Sequence, residues 1–234
     1  MTLRKSWAAA AAAAMVTLSG AAQAALVDRG GGMIYDTTLN ITWLSDMNYA
    51  YASHYTGDGV DSGGAMTWDA ATIWANNLVY GGFSDWRLPT LNPFDTSCSK
   101  NFIPSGGGIQ YYGFNCTGGE LSHLFVTDLG NAPLTLVGNQ TGDTAEQIAN
   151  LAMFHHVNAY FYWSGTDFSP DPTDAWIFSP LDGSQTNGVK AFYDYALAVR
   201  PGDVAAASVP EPQTVALVLM GLGAALVARR KRPR

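Results

Sequence analysis

The amino-acid sequence predicts a single α+β domain with two helices and small antiparallel sheets, flanked by two terminal segments. Three observations predict this fold class. Residues 25–203 are long enough to bury one hydrophobic core and too short for two. The first half of this stretch has apolar residues at helical spacing, and the second half has aromatic and β-branched runs between turn signals. Helices followed by an antiparallel meander are typical of α+β domains.

The first predicted elements are a hairpin and a helix. Residues 33–45 are rich in β-branched and aromatic residues and are interrupted by turn formers, so they predict a hairpin. Thr67 is a suitable N-cap for a helix that runs to about Val79, because apolar residues recur on one face. Gly81 and Gly82 end this helix.

A short strand and a second helix follow. The segment FSDWRLPT at 83–90 predicts a short strand that ends at Pro89. After an insertion bounded by cysteines, four apolar residues at helical spacing predict an amphipathic helix: Leu121, Leu124, Phe125 and Leu129. Gly130 ends that helix.

The last third of the domain is predicted to be β-rich. Residues 159–166, 174–183 and 189–202 are aromatic and β-branched runs, separated by Pro, Asp-Gly and Asn-Gly turn signals. In the last run apolar and small or polar residues alternate, as in a half-buried strand. The sequence therefore predicts an antiparallel meander here.

The charge of the domain excludes one class of partner. Residues 25–203 hold five of the 12 basic residues and 18 of the 19 acidic ones, which gives a formal charge of −13. Binding to nucleic acid or anionic lipid depends on clustered Lys and Arg. We therefore expect no nucleic-acid partner, whereas an acidic surface is compatible with divalent cations.

The N-terminal segment, residues 1–24, predicts export. Arg4 and Lys5 precede an apolar stretch, and Ala22 and Ala24 form an A-x-A site. This order is typical of a secretory signal peptide that signal peptidase cleaves after Ala24; the alternative is an uncleaved anchor helix.

The C-terminal segment predicts a membrane stop. A linker at 204–213 contains Pro210, Glu211 and Pro212, residues 214–228 carry no charge, and residues 229–234 hold five bases. Within this run, the fourteen residues from Val215 to Ala228 would span about 21 Å as a helix, against a hydrocarbon core of about 30 Å. The basic end is expected to stay cytoplasmic, which places the domain outside.

These C-terminal features resemble the PEP-CTERM protein-sorting signal of Gram-negative bacteria that secrete exopolysaccharide. The resemblance rests on Pro210-Glu211-Pro212, an apolar helix with Gly221 and Gly223, and the terminal basic cluster. It implies recognition by an exosortase, a membrane protease that removes the tail near the Pro-Glu-Pro. The protein would then be held transiently in the inner membrane before it reaches the cell surface or the extracellular matrix.

Cys98 and Cys116 predict a disulfide. An even pair of cysteines in an exported protein is typically oxidised, and no further Cys or suitably spaced His supports a zinc site.

Four motifs follow one another across most of residues 33–203: TWDAATIWANNLVYGGFSDWRLPT, NCTGGELSHLF, YWSGTDFSPDPTDAWIF and YALAVRPGDV. As a set they resemble the Lcl C-terminal-like domain, a family of unknown function first delimited in a collagen-like adhesin. The resemblance implies a C-type-lectin-like fold with two helices, small antiparallel sheets and a long binding loop. The chain departs from the family in the insertion around Cys98 and Cys116.

Eight residues of these motifs are the natural candidates for a site: Trp86, Arg87, Leu88, Pro89, Trp163, Ser164, Trp176 and Arg200. Tryptophan at strand ends usually packs in a core, and a strand arginine often pairs with a buried carboxylate. We therefore expect these residues to specify the fold, with ligand contact as the alternative.

Catalytic and metal signatures are sparse. The sequence contains no G-x-S-x-G, H-E-x-x-H or Gly-rich phosphate motif, so no catalytic residue and no organic cofactor are predicted. Calcium is left open, with Asp171, Asp174 and Asp182 as candidate oxygen ligands; the alternative is a turn-rich loop with ordinary Asp caps.

The sequence thus favours a non-enzymatic surface or matrix protein whose lectin-like domain contacts polysaccharide or another surface glycan. Two alternatives remain open. One is an enzyme on the related formylglycine-generating-oxidase fold, which requires reactive cysteines. The other is a purely structural matrix protein.

Overall fold

The computed structural model describes residues 26–105, 107–139 and 141–204, which form an α+β fold with two antiparallel sheets. The predicted signal peptide with Ala24, the motif Pro210-Glu211-Pro212, the 214–228 helix and the basic tail lie outside the described residues. Within the described ranges, no helix has the length and apolar character needed to cross a membrane.

In chain order the elements are β1 (Leu26–Asp28), β2 (Met33–Asp36), β3 (Ile41–Leu44), α1 (Tyr49–Ala52), α2 (Trp68–Asn77), β4 (Lys100–Phe102), β5 (Gln110–Phe114), α3 (Glu120–Ser122), a π-helix (His123–Asp128), α4 (Ala145–Leu151), β6 (Tyr162–Asp167), β7 (Asp174–Ser179), β8 (Ser184–Val189) and β9 (Val199–Pro201).

The N-terminal sheet has the order β1-β2-β3-β9. The predicted hairpin is confirmed, since β2 and β3 pair antiparallel with Met33 opposite Leu44 and Asp36 opposite Ile41. Strand β9 pairs with β3 and thereby joins the two ends of the domain. The predicted strand at 189–202 is shorter than expected: only its last residues form β9, and residues 196–199 are all buried, without alternation.

The second sheet has the order β4-β5-β8-β7-β6 and contains the long hairpin β7–β8. The Asp-Gly turn signal at 182–183 is confirmed, because Gly183 closes this hairpin with φ of 74°. The predicted turn at Asn187-Gly188 is wrong: both residues lie inside β8, opposite Trp176 and Ala175. A Cβ at position 188 would lie 2.7 Å from Ile177 Cδ1, so Gly188 packs closely against Ile177 within the strand and does not form a turn.

Both predicted helices are present. Thr67 caps α2, and its Oγ1 accepts a hydrogen bond from the Ala70 amide at 3.4 Å. The second helix begins as α3 and continues as the π-helix to Asp128. Two short helices were not predicted, α1 and α4, although α4 carries a capping box between Thr144 and Gln147 that its sequence displays.

The predicted strand at 83–90 is reduced to isolated bridges. Arg87 exchanges both backbone hydrogen bonds with Val199, at 2.9 Å each. The pairing stops there because Pro89 has no N–H to continue a ladder.

Aromatic side chains dominate the core. Trp43, Trp163 and Trp176 are each at most 1 % exposed. Phe125 of the π-helix stacks on Phe178 of β7 with ring centroids 5.1 Å apart, which joins the helical segment to the second sheet.

Candidate functional site

The DWRLPT motif is anchored by an ion pair. The Arg87 guanidinium donates two hydrogen bonds to the Glu120 carboxylate, each 2.7 Å long. The Thr90 amide donates a third at 2.8 Å. Burial raises the pKa of Glu120, but the hydrogen bonds from Arg87 and Thr90 outweigh it and hold that pKa below its ordinary value. The pair ties the motif to the start of α3.

Arg200 of the AVRPG motif is anchored in the same way. Its Nε and Nη2 donate to the Asp85 carboxylate at 2.8 and 3.0 Å. Its guanidinium carbon lies 4.0 Å from the centroid of the Phe83 ring. The hydrogen bond from Arg200 lowers the pKa of Asp85. These contacts fix β9 to the segment that precedes DWRLPT.

The YWSGT motif also contacts the backbone. Trp163 Nε1 donates to the Met66 carbonyl at 2.7 Å, and Ser164 Oγ donates to the Trp176 carbonyl at 2.7 Å. The Gly165 amide donates to the Pro89 carbonyl at 2.8 Å, so two motifs meet directly.

The remaining motif residues are buried. Trp86 donates through Nε1 to the Tyr80 carbonyl at 3.3 Å, and Leu88 is 5 % exposed. None of the eight candidate residues is among those that line the groove presented below, although Asp174 and Ile177 of the motif YWSGTDFSPDPTDAWIF are. The motif contacts hold loops against strands, as residues that specify a fold do.

The predicted disulfide is present between Cys98 and Cys116. Beside it, Asp95 accepts hydrogen bonds from the backbone amides of Ser97, Thr117 and Gly118. Burial raises the pKa of Asp95, yet these bonds and that from the Ser97 hydroxyl lower it below its ordinary value.

Asp95 and the two sulfurs lie within 4.8 Å of one another, but both sulfurs are bonded to each other. A thiolate is the form of cysteine that binds a metal. The disulfide and Asp95 therefore hold a loop in place and do not form a metal centre.

The three calcium candidates do not come together. Asp171 caps a turn and accepts from the Thr173 amide at 2.9 Å and hydroxyl at 2.7 Å. Asp174 begins β7, whereas Asp182 lies beyond the other end of that strand and caps Ser184. A six-residue strand is about 20 Å long, so Asp182 cannot share an ion with the other two.

The structure also contains an aromatic groove that the sequence did not reveal. It has a volume of about 720 Å³ and is formed by β7, β8 and the two segments at 160–161 and 191–194. Three aromatic side chains beside it are largely exposed: Tyr160 at 51 %, Phe192 at 64 % and Tyr193 at 46 %. The groove thus combines a strand floor with aromatic walls.

Polar groups of the groove lie on the strands. Asp174 and Asn187 are joined by a 2.7 Å hydrogen bond from Asn187 Nδ2 to Asp174 Oδ2, and Thr186 lies beside Asn187 on β8. The lining therefore presents amide, hydroxyl and carboxylate groups next to the aromatic rings.

Asp194 is another lining residue of this groove and is only 4 % exposed. Its backbone is fixed by two hydrogen bonds with Met66, at 2.8 and 3.1 Å. No hydrogen-bond donor or ion-pair partner contacts its carboxylate among the residues that the structure describes. Burial alone raises the pKa of this carboxyl to about 6.

Asp128 is a second buried acid, at the end of the π-helix. It is 4 % exposed, its Oδ2 has no hydrogen-bond partner in the described part of the chain, and its Oδ1 lies 3.7 Å from His123 Nε2. Burial, together with the nearby charges of Asp36 and Glu146, raises its pKa to about 7. This environment disfavours the ionised form.

Stability is therefore expected to depend on pH through Asp128. The native state binds its proton more tightly than the unfolded chain does, so this contribution is complete below about pH 4 and is lost as the pH rises through about 7. Asp128→Asn, which keeps the shape without a charge, should be more stable than the wild type above pH 7. Urea denaturation from pH 4 to 8 measures this; a variant less stable than the wild type at pH 8 would contradict it.

Residues 208–232 match the PEP-CTERM protein-sorting motif. This motif implies export and processing by an exosortase, which places the protein at the cell surface or outside the cell. No curated protein and no solved structure matches the chain.

A second match covers the described domain. Residues 32–200 match the Lcl C-terminal domain, and the matched range contains the DWRLPT, YWSGT and AVRPG segments whose contacts are described above. Because this match spans well over half of the sequence, the chain belongs to the Lcl C-terminal domain family.

Proposed function

We propose that the exported domain binds a saccharide in the aromatic groove and serves as an adhesion domain linked to exopolysaccharide or biofilm. The observation that supports this proposal is the exposure of Tyr160, Phe192 and Tyr193 beside the polar groups of β7 and β8. A sugar ring has one apolar C–H face and a polar edge of hydroxyls. Aromatic walls next to a few amide and carboxylate groups complement both.

The dimensions of the groove support the same reading. Ligand sites typically have volumes of about 300–1,000 Å³, and the groove falls in this range at about 720 Å³. Single exposed apolar residues are normal on a protein surface, but clustered exposed aromatics typically mark a binding surface. The predicted C-type-lectin-like fold, with helices and small antiparallel sheets, is compatible with this function.

The alternatives have weaker support. An oxidase of the formylglycine-generating kind requires reactive thiols, and the disulfide withdraws both Cys98 and Cys116 from such chemistry. A purely structural matrix protein has no need for an aromatic groove. We further propose that residues 214–228 hold the chain in the inner membrane until the exosortase acts.

Truncation of the groove aromatics tests the proposal. Phe192→Ala and Tyr193→Ala should each weaken binding of the best saccharide by at least about tenfold, because each removes an aromatic contact surface. A glycan array with the processed protein identifies that saccharide, and calorimetry then measures the variants.

Phe94→Ala is a matched control, since Phe94 is 62 % exposed and lies outside the groove lining. Binding that survives both groove substitutions, or that is lost equally in Phe94→Ala, would refute the groove. If the wild type bound neither a saccharide on the array nor the matrix of the producing cell, the structural alternative would be favoured.

A further inference from the structure

The groove contains a largely buried residue, Asp194, whose carboxylate has no hydrogen-bond or ion-pair partner among the residues that the structure describes. Asp194 is held in place by its backbone bridge to Met66, and it is one of the residues that line the groove. A buried carboxylate without hydrogen bonds is unfavourable, so such a group usually has a partner when the protein is at work. Within the described structure that partner is not supplied by the protein.

The charge of the groove is one-sided. Its lining contains Asp174 and Asp194 and, among the described residues, no Lys, Arg or His. The nearest base in sequence, Lys190, is already engaged: its Nζ donates to Asp167 Oδ1 and to the Pro172 carbonyl, and it lies 4.2 Å from the centroid of the Trp68 ring. The groove therefore has negative charge that no cation of its described lining neutralises.

We propose that the groove selects a saccharide that carries a free amino group, and that the ammonium group of this sugar pairs with Asp194. The inference rests on the proposed saccharide binding and names the class of sugar. An ammonium ion supplies both the charge and the hydrogen-bond donors that Asp194 lacks. The exposed rings of Phe192 and Tyr193 add cation–π attraction for the same group.

Other sugars satisfy the groove less well. A neutral saccharide offers a hydroxyl donor, which makes a weaker bond to a carboxylate than a cation does. Uronic acids and sulfated sugars bring negative charge next to Asp174 and Asp194, and like charges repel. Burial raises the pKa of Asp194 to about 6, so it is mostly ionised near neutral pH and available to an ammonium.

A matched pair of ligands tests the inference. The tetramers of β-1,4-linked glucosamine and of N-acetylglucosamine share one backbone and differ only in amine against acetamide. By calorimetry with the processed protein at about pH 6.5, the glucosamine tetramer should bind at least about tenfold more tightly. Asp194→Asn should abolish this preference without lowering the melting temperature, because it removes a buried charge that disfavours the native state.

Asp58→Asn controls for the overall acidity of the domain, because it removes one exposed charge outside the groove. It should keep the preference. Equal binding of the two tetramers to the wild type would overturn the inference. So would an equal loss of the preference for the glucosamine tetramer in Asp194→Asn and Asp58→Asn. A tetralysine peptide that binds as tightly as the glucosamine tetramer would also overturn it, by showing selection of charge without the sugar.

The two proposals fail in different ways. If the acetylated tetramer binds as well as the amine and needs Phe192, saccharide binding stands and amine selection is wrong. If neither tetramer binds and no other saccharide on the array does, both proposals are wrong.

Discussion

Replacing Trp163 with alanine is expected to lower the free energy of unfolding by about 3–5 kcal/mol, the range for large aromatic side chains removed from a core. Trp163 is 0 % exposed, and its Nε1 donates a 2.7 Å hydrogen bond to the Met66 carbonyl. The substitution therefore leaves both a cavity and a carbonyl without its partner. Urea denaturation at pH 7 measures the change.

Two further variants separate these contributions. Trp163→Phe keeps most of the ring but loses the donor, so it should cost less than the alanine variant. Phe192→Ala removes an aromatic ring that is 64 % exposed and should change stability by less than about 0.5 kcal/mol. If Trp163→Ala were as stable as Phe192→Ala, the assignment of the YWSGT motif to the core would be wrong.

Loss of the Cys98–Cys116 disulfide should destabilise the domain by about 3 kcal/mol, because the bond closes a loop with a sequence separation of 18. For a domain of this size that corresponds to a fall in melting temperature of roughly 6–12 °C. The double variant Cys98→Ser/Cys116→Ser and the wild type in reductant should show the same fall by calorimetry.

Reductant provides the internal control for that measurement. It should have no effect on the double serine variant, which has no disulfide to lose. Wild-type protein that melts at one temperature with and without reductant would show that the loop is held by other contacts, such as the hydrogen bonds of Asp95.

Elements with local signals could be predicted from the sequence. The cap at Thr67, the hairpin at 33–45 and the Asp-Gly turn at 182–183 each depend on neighbouring residues alone. The disulfide followed from the even cysteine count and the predicted export. The sequence led us to expect that Arg87 pairs with a carboxylate. It did not identify the partner, Glu120, which is 33 residues away.

The remaining features depend on tertiary contacts. The pair Asn187-Gly188 is typical of a turn, but both residues lie in β8, where Gly188 packs closely against Ile177. The groove was missed because Phe192, Tyr193 and Asp194 lie in a run that was predicted to be a half-buried strand. The sequence did contain one signal of an exposed surface here. Side chains alternate between the two faces of a strand, so Phe192, Tyr193 and Asp194 cannot all face the core.

Hydrogen–deuterium exchange of the processed protein, with and without its best saccharide, tests the central claim most directly. The account predicts that protection increases at 160–161 and along 186–194, which contain the aromatic walls, β8 and Asp194. Protection confined to the disulfide loop at 98–116, with no change along 186–194, would contradict it.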